Sequence, residues 1–377
     1  MKILFVVQGE GRGHLTQAIT MEDMLRKNGH EVVEVLVGKS NSRRLPDFFS
    51  RNICAPVRMF DSPNFLPTPA NKRSRLTRSV IYNVLKTSSY LRSILFIRKR
   101  ITETGADLVV NFYEMLTGLT YLLFRPEVPQ VSIGHQYLFL HHDFDFPKGS
   151  PVSLFFLRMF TRITSIGASE RLALSFHDMP GDERNGITVV PPLLRRELFS
   201  VTPLKGNYIH GYMVNAGFGE SIVEWHKSHC DVPLHFFWDK KGAKTLTVVD
   251  DNLTFHTIDD RAFLDSLAGC LAYATTAGFE SVCEAMYLGK PVMMVPAHIE
   301  QDCNAHDAAS CGAGIVSDDF NLGQLTEFAD SYSPDEKFRS WVSCSSVRIM
   351  SALEKAASEL PEHHLSLSSL ASIFYNS

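Results

Sequence analysis

The stretch LAYATTAGFESVCEAMYLGKPVMMVPAHIEQDCNA, residues 271–305, decides the fold. A short β-rich run at 271–274 leads through the glycine turn Ala274-Thr275-Thr276-Ala277-Gly278-Phe279-Glu280-Ser281 into a helix at 279–288. A second strand follows at 291–295, then a polar loop, then a helix at 303–311. Strand, turn, helix and strand in that order form the unit of a parallel α/β layer. Small residues and hydroxyls at the start of a helix suit a diphosphate, because free backbone N–H groups and the positive helix end point there. Glu280 and Glu284 stand four apart on one helical face. A carboxylate one turn beyond a phosphate site can accept both hydroxyls of a ribose; the alternative is a solvated helix face.

The same alternation extends in both directions. Upstream, strands are expected at 2–7, 31–37, 107–112, 130–134 and 187–190, with helices near 14–28, 75–103, 115–124 and 151–164. A proline pair, Pro191-Pro192, cannot continue a central strand, and a polar stretch runs from there to Gly206. Beyond it the pattern restarts: strand 207–214, helix 219–229, strands 232–238 and 253–257, and helix 260–268. This predicts an α/β protein with a first domain at 1–192, a linker at 193–206 and a second domain at 207–358. A last helix at 334–358 is free to cross back to the first domain, and 359–377 forms a Ser-rich tail. Two doubly wound lobes enclose a cleft, and ligands of such sheets bind beyond the carboxyl ends of the strands.

Composition sets the outer limits. A chain of 377 residues suggests two domains, and 45% hydrophobic with 21% charged residues describes an ordinary globular protein. A net charge of -4 offers no overall attraction to nucleic acid. Seven scattered cysteines without a CxxC pair argue for a reducing compartment. The apolar run Ile3 to Val7 is too short for a signal core, and Leu154-Phe155-Phe156-Leu157 is broken by Arg158 and Arg162. A cytoplasmic location is expected.

Two further turns carry chemistry. The first strand ends in Gln8-Gly9-Glu10-Gly11-Arg12-Gly13-His14, where alternate glycines let the backbone approach a ligand. The pattern is neither a dinucleotide fingerprint nor a Walker loop, and the second strand ends Val37-Gly38-Lys39 without an acid for a ribose. His14 is either a base pointing into the cleft or a capping and packing group. Asn215-Ala216-Gly217-Phe218-Gly219-Glu220-Ser221 repeats the glycine turn in the second domain. In the loop Pro296 to Ala305, carboxylates and amides could read sugar hydroxyls.

Taken together, GEGRGHLTQA at 9–18, NAGFGES at 215–221, residues 258–278, FESVCEAMYLGKPVMMVP at 279–296 and EQDCNA at 300–305 resemble GT-B glycosyltransferases. The nearest resemblance is to family 28, which includes the peptidoglycan enzyme that moves N-acetylglucosamine from a UDP donor to a lipid-linked acceptor. The resemblance implies a GT-B fold of two Rossmann-like domains, a UDP-sugar donor held by the second domain, and a hydroxyl acceptor, lipid-linked or an envelope polysaccharide, entering from the first. Carried over by position, Gly217, Phe218 and Gly219 lie at the pyrophosphate, Ile258 flanks the uracil, Thr276 and Gly278 contact phosphate, and Glu284 takes the ribose. Glu300 and Gln301 read the sugar and Asn304 positions them. Gly11, Arg12 and Gly13 form the first-domain phosphate or acceptor loop. His14 aligns with the base of family 1 relatives, with Glu114 and His135, after other first-domain strands, as further candidates.

No cofactor and no metal is expected. The triplet Asp143-Phe144-Asp145 beside His141 and His142 is a cation motif of the other glycosyltransferase fold, and Cys303, His306 and Cys311 read better as buried thiols and helix residues than as ligands. Residues 71–100 hold nine Lys or Arg and no acid among apolar residues. That stretch is either a core-facing helix with a solvated basic face or a contact with an anionic membrane surface, on the cytoplasmic side. Two other readings share the fold: a UDP-sugar 2-epimerase or hydrolase, and a non-catalytic nucleotide-sugar sensor.

Overall fold

A computed structural model describes residues 1–40, 45–63, 87–213, 216–240 and 242–358. The first lobe runs β1 (Lys2–Gln8), α1 (Arg12–Lys27), β2 (Glu31–Lys39), α2 (Asp47–Asn52), β3 (Val57–Asp61), α3 (Thr87–Glu103), β4 (Leu108–Phe112), α4 (Met115–Phe124), β5 (Gln130–Gly134), α5 (Pro151–Thr164), β6 (Ala168–Leu174) and β7 (Ile187–Val190). Its seven strands lie in the order β3-β2-β1-β4-β5-β6-β7, all parallel. Ile3 to Val7 are fully buried, as an unbroken apolar run requires when helices cover both faces of a parallel sheet. The strand order reverses between β1 and β4, so the turns after those strands flank the crevice where such sheets bind ligands.

The second lobe repeats the plan with β8 (Ile209–Met213), α6 (Gly219–Lys227), β9 (Leu234–Trp238), β10 (Leu246–Val248), β11 (Leu253–Thr257), α7 (Asp260–Gly269), β12 (Ala272–Thr275), α8 (Phe279–Tyr287), β13 (Val292–Met294), α9 (Ile299–Ser310), β14 (Gly314–Val316) and α10 (Leu322–Ser331). The order is β10-β11-β9-β8-β12-β13-β14, parallel except for the edge strand β10. Its switch point falls between β8 and β12. The turns after those strands are the two glycine turns of the second lobe.

Helices α11 (Glu336–Ser343) and α12 (Ser345–Ser358) close the chain onto the first lobe, where α12 packs against β5, β6 and β7. Ile349 and Leu353 are fully buried, each worth about 1.5–3 kcal/mol relative to exposure. The Trp341 indole N–H donates to Ser175 O at 3.0 Å, and Arg348 grips Asp178 at 2.9 and 2.8 Å. One buried apolar cluster therefore runs through both lobes, from Leu15 and Phe139 to Phe279 and Trp341.

Several elements depart from the sequence reading. The polar loop at 296–305 is already helical from Ile299, because Gln301 Oε1 accepts the Ala297 N–H at 2.9 Å and Glu300 and Asp302 suit a positive helix end. The single helix expected at 334–358 is broken at Cys344, which lets Trp341 and Ile349 both face the first lobe. Strands β3, β6, β10 and β14 and helices α2 and α10 are not among the expected elements; β6, for instance, interrupts its apolar residues with Glu170 and Arg171. In α3, Tyr90, Ile94, Ile97 and Ile101 form a buried stripe while Leu91 and Leu95 stay exposed; residues 71–86 of the basic stretch, like 359–377, lie outside the described residues. Among the described residues no helix is long and apolar enough to cross a membrane.

Candidate active site between the lobes

The turn after β1 brings α1 into the cleft at its uncapped positive end. Gly9 passes so close to β2 that a Cβ there would lie 2.6 Å from Val37 Cγ1 and 2.9 Å from Gly38 O. Gly11 supplies no side-chain cap, so the positive end of α1 is left without a side-chain acceptor of its own. Gly13 lies against Glu280 of α8, where a Cβ would come 2.5 Å from the carboxylate. Arg12 reaches across to Asp260 at 2.5 Å, with its guanidinium 4.1 Å over the Phe48 ring.

His14, next on that helix, is buried and stacked on Tyr113 with ring centroids 5.5 Å apart. Its Nδ1 is 3.2 Å from Gln17 Oε1, and its Nε2 is 3.4 Å from Gln136 Nε2. Two carboxylates of the second lobe orient these amides: Gln17 Nε2 donates to Glu280 Oε1, and Gln136 Nε2 donates to Glu300 Oε1 at 3.1 Å. The tautomer of His14 follows. Gln17 can only accept at Oε1, so Nδ1 carries the proton and the Nε2 lone pair accepts from Gln136 Nε2. Burial holds the imidazole below its usual pKa, although Glu280 and Glu300 pull the other way. A neutral imidazole with an aimed lone pair is equipped to take a proton.

His135 stacks flat on Phe279, centroids 4.6 Å apart and planes 6° from parallel, with Nε2 3.3 Å from Glu300 Oε1. Burial alone would raise the Glu300 carboxyl; His135 foremost, with His298 and His14, outweighs it and brings the pKa down to about 2. Glu300 is thus an anion held beside His14 and His135. Glu114 does not join this group. It is fully buried, caps α4 through Leu116 N at 3.1 Å and accepts from Ser62 Oγ at 2.7 Å. Burial lifts its pKa to about 7 against those two hydrogen bonds.

The second lobe supplies the anion-binding ends. Neither α8 nor α9 has a side-chain cap; α8 begins beside α1, and α9 begins beside the turn after β5 that carries His135 and Gln136. Before α8, Ala277 has φ +60, a left-handed conformation uncommon without a glycine, and Asn304 Nδ2 holds its carbonyl at 3.2 Å. Thr276 is buried in the same turn, next to Gly278. Gln301 turns its Oε1 inward to Ala297. Ile258 is half-buried just before α7; Gly217 is exposed in the turn before α6; Phe218 packs on Phe320, and Gly219 lies against Trp238.

Glu280 and Glu284 part company despite sharing a helix face. Glu280 turns to α1, whereas Glu284 is buried and held by Arg195 from the linker, Nε to Oε1 at 2.6 Å and Nη2 to Oε2 at 2.7 Å. Burial opposes the charge of Arg195, but Glu284 and Asp260 more than compensate and raise its pKa. The same cation borders a cavity of about 770 Å³ between α1, the linker and α7. Arg195, Gln17, Gln136 and Phe279 were not picked out as site residues from sequence; each is an ordinary residue type whose contact is more than 80 positions away. Asp143 pairs with His142 at 3.2 Å and Asp145 with His306 at 2.9 Å, so the acidic triplet splits between two partners.

The family model described as glycosyl transferase family 1 matches residues 1–332. Among solved structures, the glycotransferase of kitacinnamycin is 14% identical, over 94% of this chain and 99% of its own, with a TM-score of 0.63. The spinosyn rhamnosyltransferase SpnG complexed with thymidine diphosphate is 15% identical, over 95% and 100%, TM-score 0.56. Arabidopsis thaliana UGT89C1 complexed with quercetin is 15% identical, over 99% and 98%, TM-score 0.57. No curated protein matches the chain. Two doubly wound lobes, a cleft lined by helix ends and a family match over most of its length assign this chain to glycosyl transferase family 1, with the GT-B fold.

Proposed function

We propose that the protein transfers a sugar from a UDP-sugar to an acceptor hydroxyl with inversion, and that His14 is the base. The observation that carries this reading is the chain Glu280, Gln17, His14, Gln136, Glu300, which fixes one imidazole tautomer where the lobes meet. The donor lies on the second lobe, its diphosphate at the N-terminal ends of α8 and the 216–219 turn, near Gly217, Gly219, Thr276 and Gly278. Developing negative charge on the leaving group is met there by backbone amides, without a metal or cofactor. Glu284 accepts the ribose hydroxyls: Arg195 occupies one side of each oxygen, and a carboxylate has about four acceptor sites. Ile258 borders the base.

Glu300 and Gln301 read the sugar. The acceptor enters from the first lobe, and its hydroxyl proton passes to His14 Nε2 as the oxygen attacks the anomeric carbon. The carbon–oxygen bond to UDP breaks on the opposite face, which inverts the anomeric centre. His135 orients Glu300 in this scheme, and Glu114 stays a structural cap. A neighbour with thymidine diphosphate bound and another with quercetin are consistent with this division of labour. The likeness of residues 279–305 to family 28 supports N-acetylglucosamine as the sugar and a lipid-linked or envelope acceptor. Residues 71–100 would then rest on an anionic cytoplasmic membrane surface, with the exposed Leu91 and Leu95 contributing.

Titrating the protein with UDP, dTDP, GDP and ADP in a calorimeter, then following UDP release from UDP-N-acetylglucosamine, tests the reading. UDP should bind best and be released slowly without acceptor. A sugar epimerised with no net release, or binding without turnover, would replace it.

A further inference from the structure

A second constellation joins the lobes away from His14. His177 lies in the chain after β6 of the first lobe, while Asp307 and Cys311 stand one turn apart at the end of α9 in the second. His177 Nδ1 is 3.2 Å from Cys311 Sγ and 3.9 Å from Asp307 Oδ1, and the three donor atoms lie within 4.8 Å of one another. Zinc bonds of about 2.0–2.3 Å arranged tetrahedrally put neighbouring donors roughly 3.3–3.7 Å apart. The two separations from His177 bracket that edge.

We infer that His177, Asp307 and Cys311 form a binding site for a borderline divalent cation, Zn2+ above all, that clips α9 to the first lobe. A nitrogen, a carboxylate oxygen and a sulfur brought together select zinc over magnesium or calcium. The Asp307 side chain is only 11% exposed and, among the described residues, accepts no hydrogen bond. A cation supplies that carboxylate with a partner and stabilises the thiolate form of Cys311.

Binding replaces the S–H bond of Cys311 with a metal–sulfur bond and releases that proton to solvent. The half-exposed His177 ring leaves the fourth position to water. The site is structural for catalysis: α9 carries Glu300, Gln301 and Asn304 at its other end, so anchoring it sets how the sugar-reading residues face His14. This inference does not depend on the identity of the donor. The sequence pattern Cys303, His306, Cys311 contains one of the three ligands; the structure buries Cys303 and turns His306 to Asp145.

Cobalt substitution tests it on the full chain. Co2+ titrated into the protein should give one saturating equivalent, intense visible bands of a tetrahedral ion and a near-ultraviolet thiolate-to-metal band, all removed by added Zn2+. Cys311→Ser should abolish the near-ultraviolet band, and His177→Ala should weaken Co2+ binding at least tenfold, with circular dichroism unchanged. The neighbouring cluster His141, His142, Asp182 has no sulfur and cannot produce that band. A band that survives Cys311→Ser, binding indifferent to His177→Ala, or no thiolate band at all would overturn the site.

Discussion

The turn after β1 and the turn after β12 both border the switch point of a doubly wound sheet, β1 on one side of the first and β12 on the other side of the second, and they deliver opposite chemistry. The first begins α1 with Arg12, Gly13 and His14; the second begins α8 with Phe279 and Glu280, and one turn later Glu284. Each lobe supplies what the other lacks. Arg12 meets Asp260, Gln17 meets Glu280 and Gln136 meets Glu300. The lesson is that the base is not made by its own lobe: carboxylates of the second lobe orient the amides that fix His14.

The largest effect expected is on the second side. Arg195→Leu leaves the buried Glu284 without its partner and should destabilise the protein by about 3–5 kcal/mol. Denaturant midpoints measure this, and adding Glu284→Met to the same chain should recover most of it. Equal stability of the single and double variants would break the idea that this carboxylate is locked.

Next comes a contrast of pH dependence between two buried groups of the first lobe. The folded pKa of Glu114 is raised from 4.5 to about 7, so its contribution is fully present below 4.5 and is lost as pH rises through 7. Glu114→Gln should therefore gain stability over the parent at pH 8, by at most about 3 kcal/mol at 1.36 kcal/mol per unit of pKa, and the gain should vanish below pH 4.5. His14 has the opposite sign. Its folded pKa lies below 6.5, so its contribution is present above 6.5 and is lost as pH falls through the folded value. Paired melting curves of Glu114→Gln and the parent from pH 4 to 8 check the first; a gain that is flat across pH contradicts it.

The smallest effect concerns the link between the two turns. Glu280→Ala frees the Gln17 amide to flip, and should lower kcat about tenfold, roughly 1.4 kcal/mol, with little change in UDP affinity. Glu280→Gln still offers an oxygen to Gln17 and should restore most of the rate. Equal rates for the two variants would detach Glu280 from His14.

Much of the fold was legible in the chain because parallel strands buried on both faces read as unbroken apolar runs, as at Ile3 to Val7 and Val292 to Met294. The strands that were missed are short or charged: β14 is Gly314 to Val316, and β6 carries Glu170 and Arg171. The glycine turns were legible for the same local reason, since close approach to β2 demands a residue without a Cβ at Gly9. What sequence hid was every contact between the lobes. Nothing near Arg195 indicates Glu284, 89 residues away, and nothing near Gln136 indicates Glu300. Residue 114 shows the converse limit. An acid after a buried strand reads as a catalytic candidate, whereas the structure buries Glu114 fully, with Oε1 capping α4 and accepting from Ser62.

The most direct measurement compares turnover and nucleotide binding in His14→Ala. If Nε2 takes the acceptor proton, the rate of sugar transfer should fall by about 10²–10⁴ while calorimetry gives the parent's affinity for UDP. Transfer at the parent rate with UDP still bound would remove His14 from the chemistry, and with it the cross-lobe chain as the core of the site.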